Sequence, residues 1–379
     1  MRTLDDAPIG AARKLAGFHG LRAIAVLSVA AFHFVLLVPL LPDLRTFGIA
    51  FQLRVGVWIF FVISGFLLYR PFAHAHAGMS PEPSVPRYAV SRVLRIWPAY
   101  AVAVVVLSLI WHQHQFVYGG AKSFLVHLSL TQNFFRSEIT HGLGPAWSLV
   151  VELSFYAFLP VYAWVIGRFA RGREVWLVEV VGGVVLIAFG MVWQLASAGD
   201  IRWATMLPGF LPTFAIGIML AVAVVHRRDF GVSVIARRPW WCWSAALVLL
   251  LAKGAIGGSD GFQPGFRLVN QLVYSSVAFL VVVPAVFGDG ASLGNRVLRS
   301  WPFRQLGLVS YGVFLWSVPV IATVQWEWLP QGPGFPLRAV AVALVSLVVT
   351  LAVATASWFI VERPALRLKR FVPRSKSGV

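Results

Sequence analysis

Four groups of residues in this chain bring functional chemistry into otherwise apolar surroundings. Arg22 and His33 lie eleven residues apart in the run GLRAIAVLSVAAFHF that starts at Gly20. At about 100° per residue this is close to three helical turns, so both share one face, about 16 Å apart along the axis. An imidazole titrates near neutral pH, so His33 can act as a general base or carry a proton. The bland reading is a snorkelling arginine beside a buried, hydrogen-bonded histidine. Arg92 and Arg95 stand one turn apart in SRVLRIWPAY from Ser91, on a short amphipathic helix that Pro98 should end or kink. Paired guanidinium forks suit a phosphate-rich ligand; a basic amphipathic helix lying on lipid headgroups is the equal alternative. Glu152, in WSLVVE from Trp147, must pair or take up a proton inside a span. It reads as a partner for His33 or an arginine, or as half of a structural ion pair. Ser64, in FFVISGF from Phe60, combines with Gly65 to permit close helix approach, or lines a ligand path.

These residues need membrane helices to hold them. Hydrophobic residues fill 59% of the 379 positions and charged residues 12%, where a soluble domain carries roughly 25% charged. The chain reads as an all-α polytopic membrane bundle, one integral membrane unit over 1–379 with a short basic tail at 363–379. Candidate spans of about 20 residues cover 20–41, 51–69, 97–113, 146–166, 175–194, 205–225, 239–254, 269–287, 305–324 and 338–361. The stretch 121–135 is shorter, holds His127, Gln132 and Asn133, and reads as a re-entrant or interfacial helix. With ten spans and both termini cytoplasmic, 24 of the 32 Lys and Arg fall on the inner side, as the positive-inside rule demands. Arg22 then lies near the cytoplasmic surface and His33 deep in the outer half of the bilayer. The same distribution turns the net charge of +18 into a topology signal rather than a nucleic-acid footprint.

Several features exclude other chemistry. The first apolar run is too long for a signal peptide and lacks a small-x-small cleavage site. Cys242 is the one cysteine and sits among Trp240, Trp241 and Trp243, so no intrachain disulfide or thiolate cluster forms and the thiol reads as packing. No second histidine or carboxylate stands at ligand spacing from His33, so no metal is expected. The stretch 74–87 reads as an irregular cytoplasmic loop carrying His74 and His76. His112, His114 and His141 read as outer-edge residues, and Glu179, Asp200, Asp260 and Glu327 as boundary residues. No extramembrane catalytic domain is expected after the tail.

The chain resembles the acyltransferase-3 family of integral membrane acyltransferases. The pieces that carry the resemblance occur in the family's order: GLRAIAVLSVAAFHF from Gly20, FFVISGFLL from Phe60, RVLRIWPAY from Arg92, WSLVVELSFYAFLP from Trp147, SYGVFLW from Ser310 and ERP from Glu362. The resemblance implies a ten-span fold and transfer of an acyl group, usually acetyl from acetyl-CoA, to a hydroxyl of a glycan, lipid-linked sugar or small natural product. It implies no bound cofactor, acyl-CoA as donor substrate, and a multi-pass place in the cell membrane among membrane lipids. By position it points to Arg22, His33, Arg92, Arg95 and Glu152, with Ser64 and Tyr100, in matching motifs, assigned to the donor path. His19 and Ser317 stand where the family often has an acidic residue and a histidine.

The expectation is then that CoA docks against Arg92 and Arg95 with Arg22 close by, and that its arm threads between helices toward His33. His33 would act as general base or form a transient acyl-imidazole, with Glu152 orienting the ring. The rival is a transporter or flippase of a lipid-linked substrate, which would also use broken helices and midplane ionisable groups, although no inverted repeat is visible. A non-catalytic scaffold would leave His33 and Glu152 without a task.

Overall fold

A computed structural model describes residues 9–38, 48–110, 120–139, 141–197, 199–228, 231–256, 264–288, 292–328 and 337–371. His112, His114, Asp260, the end of the basic tail and the first eight residues lie outside them, as does the side chain of Glu327. The described residues are helical almost throughout and contain no strand. The main helices are α1 (Ile9–Leu37), α2 (Gly56–His76), α3 (Val85–Val105), α4 (Ala121–Leu128), α5 (Trp147–Phe169), α6 (Val175–Ala196), α7 (Leu211–Val225), α8 (Pro239–Ile256), α9 (Pro264–Phe287), α10 (Trp301–Leu308), α11 (Ser310–Thr323) and α12 (Leu337–Ser357). Among the described residues eight helices are long and apolar enough to cross a membrane, and α10 with α11 forms a ninth if the bent pair is one span. The chain is thus a multi-span helical bundle. The expected seventh span is α8, an 18-residue helix outside that set. α4 has eight residues, about 12 Å of rise, and cannot cross.

Three local expectations change. Pro98 does not end the amphipathic helix; α3 continues to Val105, and the candidate span covers Val85–Leu109, so Arg92 and Arg95 belong to a spanning helix. Proline is tolerated there because packed neighbours compensate for the lost backbone bond. Likewise α2 runs through Pro71 to His76, so His74 and His76 are helical and the irregular connection shrinks to 77–84. Glu179, expected as a boundary residue, is fully buried. Asp200 does sit in a connection, capping the turn Ile201–Ala204 through the backbone N–H of Arg202. The Arg202 side chain and backbone hydrogen bonds hold its carboxyl below the usual range.

α7 and α2 are the most enclosed spans, α6 and α12 among the least. Apolar burial drives little helix association in lipid, so close backbone approach and polar pins must do more. Gly65 and Gly217 supply the approach. A Cβ on Gly65 would run into the Phe214 carbonyl, and one on Gly217 into the Val62 carbonyl and to 2.7 Å from the Phe66 nitrogen. Phe214 stacks between Phe61 (4.6 Å) and Phe155 (3.9 Å), joining α7 to α2 and α5. The pin is Gln271 of α9, which accepts from Trp58 Nε1 at 3.0 Å and donates to Thr213 Oγ1 at 2.8 Å and Ser275 Oγ at 3.1 Å. At the α1–α2 contact, Gly56 meets the Ala25 carbonyl and Val29, which fixes the register of the two antiparallel helices.

α10 and α11 meet at a 72° bend around Val309. A broken span needs new partners for its freed backbone groups, and Ser310 Oγ donates to the Gly307 carbonyl at 2.9 Å. The bend turns the start of α11 into the bundle. Gly217→Ala should lower stability in detergent by about 1–3 kcal/mol through overpacking against α2. Gly144→Ala, where an added Cβ meets nothing within 4 Å, should leave the melting temperature unchanged; thermal unfolding of the two purified variants checks both.

Candidate active site

One cavity gathers residues from five helices. Arg22 of α1, Ser64 of α2, Arg92 and Arg95 of α3, Glu152 and Tyr156 of α5 and Tyr311 of α11 all line it. Its volume is about 120 Å³, and its wall follows α2 from Val57 to Leu68, about 16 Å of helix. The α2 face opposite Gly65 supplies this wall: Phe60, Ser64 and Leu67 repeat at three- and four-residue intervals, as one helix face requires.

Glu152 Oε1 accepts the Ser64 hydroxyl at 3.0 Å and the Tyr156 hydroxyl at 2.5 Å. Tyr156 is one turn along α5, so part of this arrangement is local. Glu152 also acts electrostatically on Arg22, as do Arg95 and Glu362. The Arg92 guanidinium lies over the Tyr88 ring at 5.7 Å and the Tyr156 ring at 6.0 Å, and that of Arg95 over Trp358 at 5.9 Å. The Nε atoms of Arg22 and Arg92 are buried without a hydrogen-bond partner. Glu362 is 2% exposed, and neither of its oxygens meets a donor at bonding geometry, although Ser357 is close. Arg95 and Arg22 act on it electrostatically. Tyr311 donates to the Ile96 carbonyl at 2.7 Å, tying the bent span to the arginine helix beside Arg95. A cavity walled by cations with unpaired donors is built to receive an anion.

Arg22, Ser64, Arg92, Arg95 and Glu152 therefore come together, whereas His33 and Tyr100 do not line the cavity. Tyr100 is fully buried and donates to the His127 carbonyl at 2.9 Å, holding α4 against α3. His33 lies beyond the Val57 end. Gly56 is level with Ala25 and Val29, and His33 is one turn past Val29, about 6 Å. Its Nδ1 is 2.8 Å from the Val29 carbonyl, an acceptor only, so Nδ1 carries the proton and neutral His33 has its lone pair on Nε2. The ring is oriented by its own helix rather than by Glu152, whose hydrogen bonds go to Ser64 and Tyr156. Among the described residues no group of three or more His, Cys, Asp or Glu is arranged to hold a metal ion.

Tyr156, Tyr311 and Glu362 belong to this region and were not singled out from sequence. Each sits in a motif that was: Tyr156 in the run after Glu152, Tyr311 in SYGVFLW and Glu362 in ERP. The signal was present, but a tyrosine carries no charge to mark it within an apolar span, and Glu362 borders the basic tail.

The family model described as Acyltransferase domain (Acyl_transf_3) matches residues 15–357. YrhL of Bacillus subtilis is 27% identical over 328 residues, covering 82% of this chain and 49% of its own length. A Listeria monocytogenes protein named peptidoglycan O-acetyltransferase OatA is 24% identical over 326 residues, 80% of this chain and 48% of its own. Nodulation protein 10 of Rhizobium leguminosarum is 24% identical over 347 residues, 83% and 82% of the two chains. The chain thus spans about half the length of the first two of these relatives. No solved structure matches it.

Tyr156→Phe removes the shorter bond to Glu152. It should cost about 1.5–3 kcal/mol, the range for a hydrogen bond to a charged group, read as a lower melting temperature. Ser154→Ala, which loses only a hydroxyl bonded to its own helix at Val150, should cost clearly less in the same assay.

Proposed function

The chain belongs to the acyltransferase family defined by that domain, and from this premise we propose that it is a membrane O-acyltransferase. It moves an acyl group, acetyl by analogy with the O-acetyltransferases it resembles, from cytoplasmic acyl-CoA to a hydroxyl of a glycan, glycolipid or small natural product. The termini and the Arg92 end face the cytoplasm, in keeping with the distribution of basic residues. The observation that carries this reading is the cavity: three arginines from two helices meet a carboxylate in one space that runs about 16 Å along α2 and stops one turn short of His33.

In this reading the phosphates of CoA engage Arg92, Arg95 and Arg22, which supply bidentate, charge-assisted donors. Glu152 balances the charge of Arg22 while Ser64 and Tyr156 keep Glu152 placed. The pantetheine arm follows the α2 wall toward the Val57 end. Beyond that end, at His33, the acceptor oxygen attacks the thioester carbonyl, the C–S bond breaks, and the acceptor proton passes by way of His33 Nε2 to the departing thiolate. A positioned base of this kind contributes typically 10²–10⁴-fold. Glycan acceptors are favoured by the names of the relatives, and the reaction ends on the side of the membrane where His33 lies.

Purified protein in liposomes tests the reading by acceptor-dependent release of CoA. His33→Ala should bind acyl-CoA as the parent does and lose about 10²–10⁴-fold in turnover. Arg92→Gln/Arg95→Gln should raise the KM for acyl-CoA by about ten-fold or more, with a smaller effect on turnover at saturation. Movement of a lipid-linked sugar across the liposome without CoA release would replace this account with the transporter. Wild-type turnover in a folded His33→Ala protein would remove the assigned base.

A further inference from the structure

A second constellation lies outside this cavity and takes no part in the proposed reaction. Glu179 of α6 is fully buried. Its Oε1 accepts from Tyr69 OH at 2.9 Å and lies 2.8 Å from His76 Nδ1, and its Oε2 is 2.9 Å from His226 Nε2. A carboxylate with no solvent is costly unless several donors satisfy it, and here α2 and the residue after α7 provide them. Because a carboxylate only accepts, the proton sits on His76 Nδ1 and the ring is fixed. Its other edge faces Gly167 of α5, where an added Cβ would stand 3.3 Å from His76 Nε2.

That edge of His76 opens on a cavity of about 350 Å³ formed where α2 and α5 end and α3 and α6 begin. Arg168, Arg171 and Glu82 also line it, as does Trp164, 67% exposed on the membrane-facing side of α5. Neither arginine has a carboxylate partner among the described residues. With Glu82 as the one acid in the lining, two guanidiniums leave the cavity cationic. It opens toward the connection 77–84 on one side and toward Trp164 on the other, so it is polar at the span ends and apolar alongside them. Trp and Arg at that depth are the residues that meet phospholipid headgroups.

We infer that this cavity is a binding site for a phosphate ester, seated on Arg168 and Arg171 with His76 at its floor. Buried Glu179 keeps the imidazole turned toward the ligand. The ligand's apolar remainder lies along Trp164. A phospholipid headgroup and a soluble organic phosphate share the recognised chemistry.

Full-length protein, stripped of lipid in detergent, would be titrated with dioleoyl phosphatidylglycerol, with dioleoylglycerol, which lacks the phosphate, and with sn-glycerol 3-phosphate, using thermal stabilisation and native mass spectrometry as readouts. Saturable binding of the phospholipid but not dioleoylglycerol is expected. Arg168→Gln/Arg171→Gln should weaken it about ten-fold or more. Gly167→Leu, which fills the cavity but keeps both arginines, should weaken it as well. Equal arginine-dependent saturation by sn-glycerol 3-phosphate would identify the source as a soluble ester. Wild-type phospholipid binding in either variant would overturn the site; in Gly167→Leu alone it would reduce the effect to surface charge. Equal binding of dioleoylglycerol would overturn phosphate recognition.

Discussion

A charge enclosed among apolar helices has to be answered by its neighbours, and the answer organises this bundle. Glu152 is half-buried within a span, where Ser64 and Tyr156 satisfy it and Arg22 balances it. Around that group, Arg22, Arg92 and Arg95 are set against Glu152 and Glu362. Three cations against two carboxylates leave one positive charge over, together with buried guanidinium nitrogens that have no partner. Among apolar helices such a surplus is weakly screened, and a bound anion would complete it.

The cavity stays open because α2 does two jobs on two faces. Gly65 lets α7 come to backbone contact on one side, so the helix is clamped there without a bulky side chain. The opposite side is free to present Phe60, Ser64 and Leu67 to the cavity. The bend at Val309 closes the remaining wall: a straight span would leave the start of α11 away from α3, whereas the bent one places Tyr311 against the Ile96 carbonyl.

The spans and most of the residues that meet in the cavity were legible in the sequence, because apolar runs of about 20 residues and the ionisable groups within them are local signals. Arg22, Arg92, Arg95, Glu152 and Ser64 stand out in that way. What the sequence could not convey was which faces meet. Glu179 looked like a residue at a span border because its partners are 110, 103 and 47 positions away. Pro98 was expected to end or kink its helix, and that the helix continues through it depends on neighbours absent from a linear reading. The distance of His33 from the cavity depends on the register set at Gly56, a close approach that a single glycine does not announce.

The hydrogen bond from His33 Nδ1 to Val29 is made entirely within α1. The tautomer of this ring is therefore written into one helix and does not depend on any other part of the bundle. If α1 tilts or slides to admit a bulky acceptor, the proton-accepting nitrogen travels with it as a preset unit. Rearrangement of the helices around it would alter where that nitrogen is delivered, while the ring proton would stay on Nδ1.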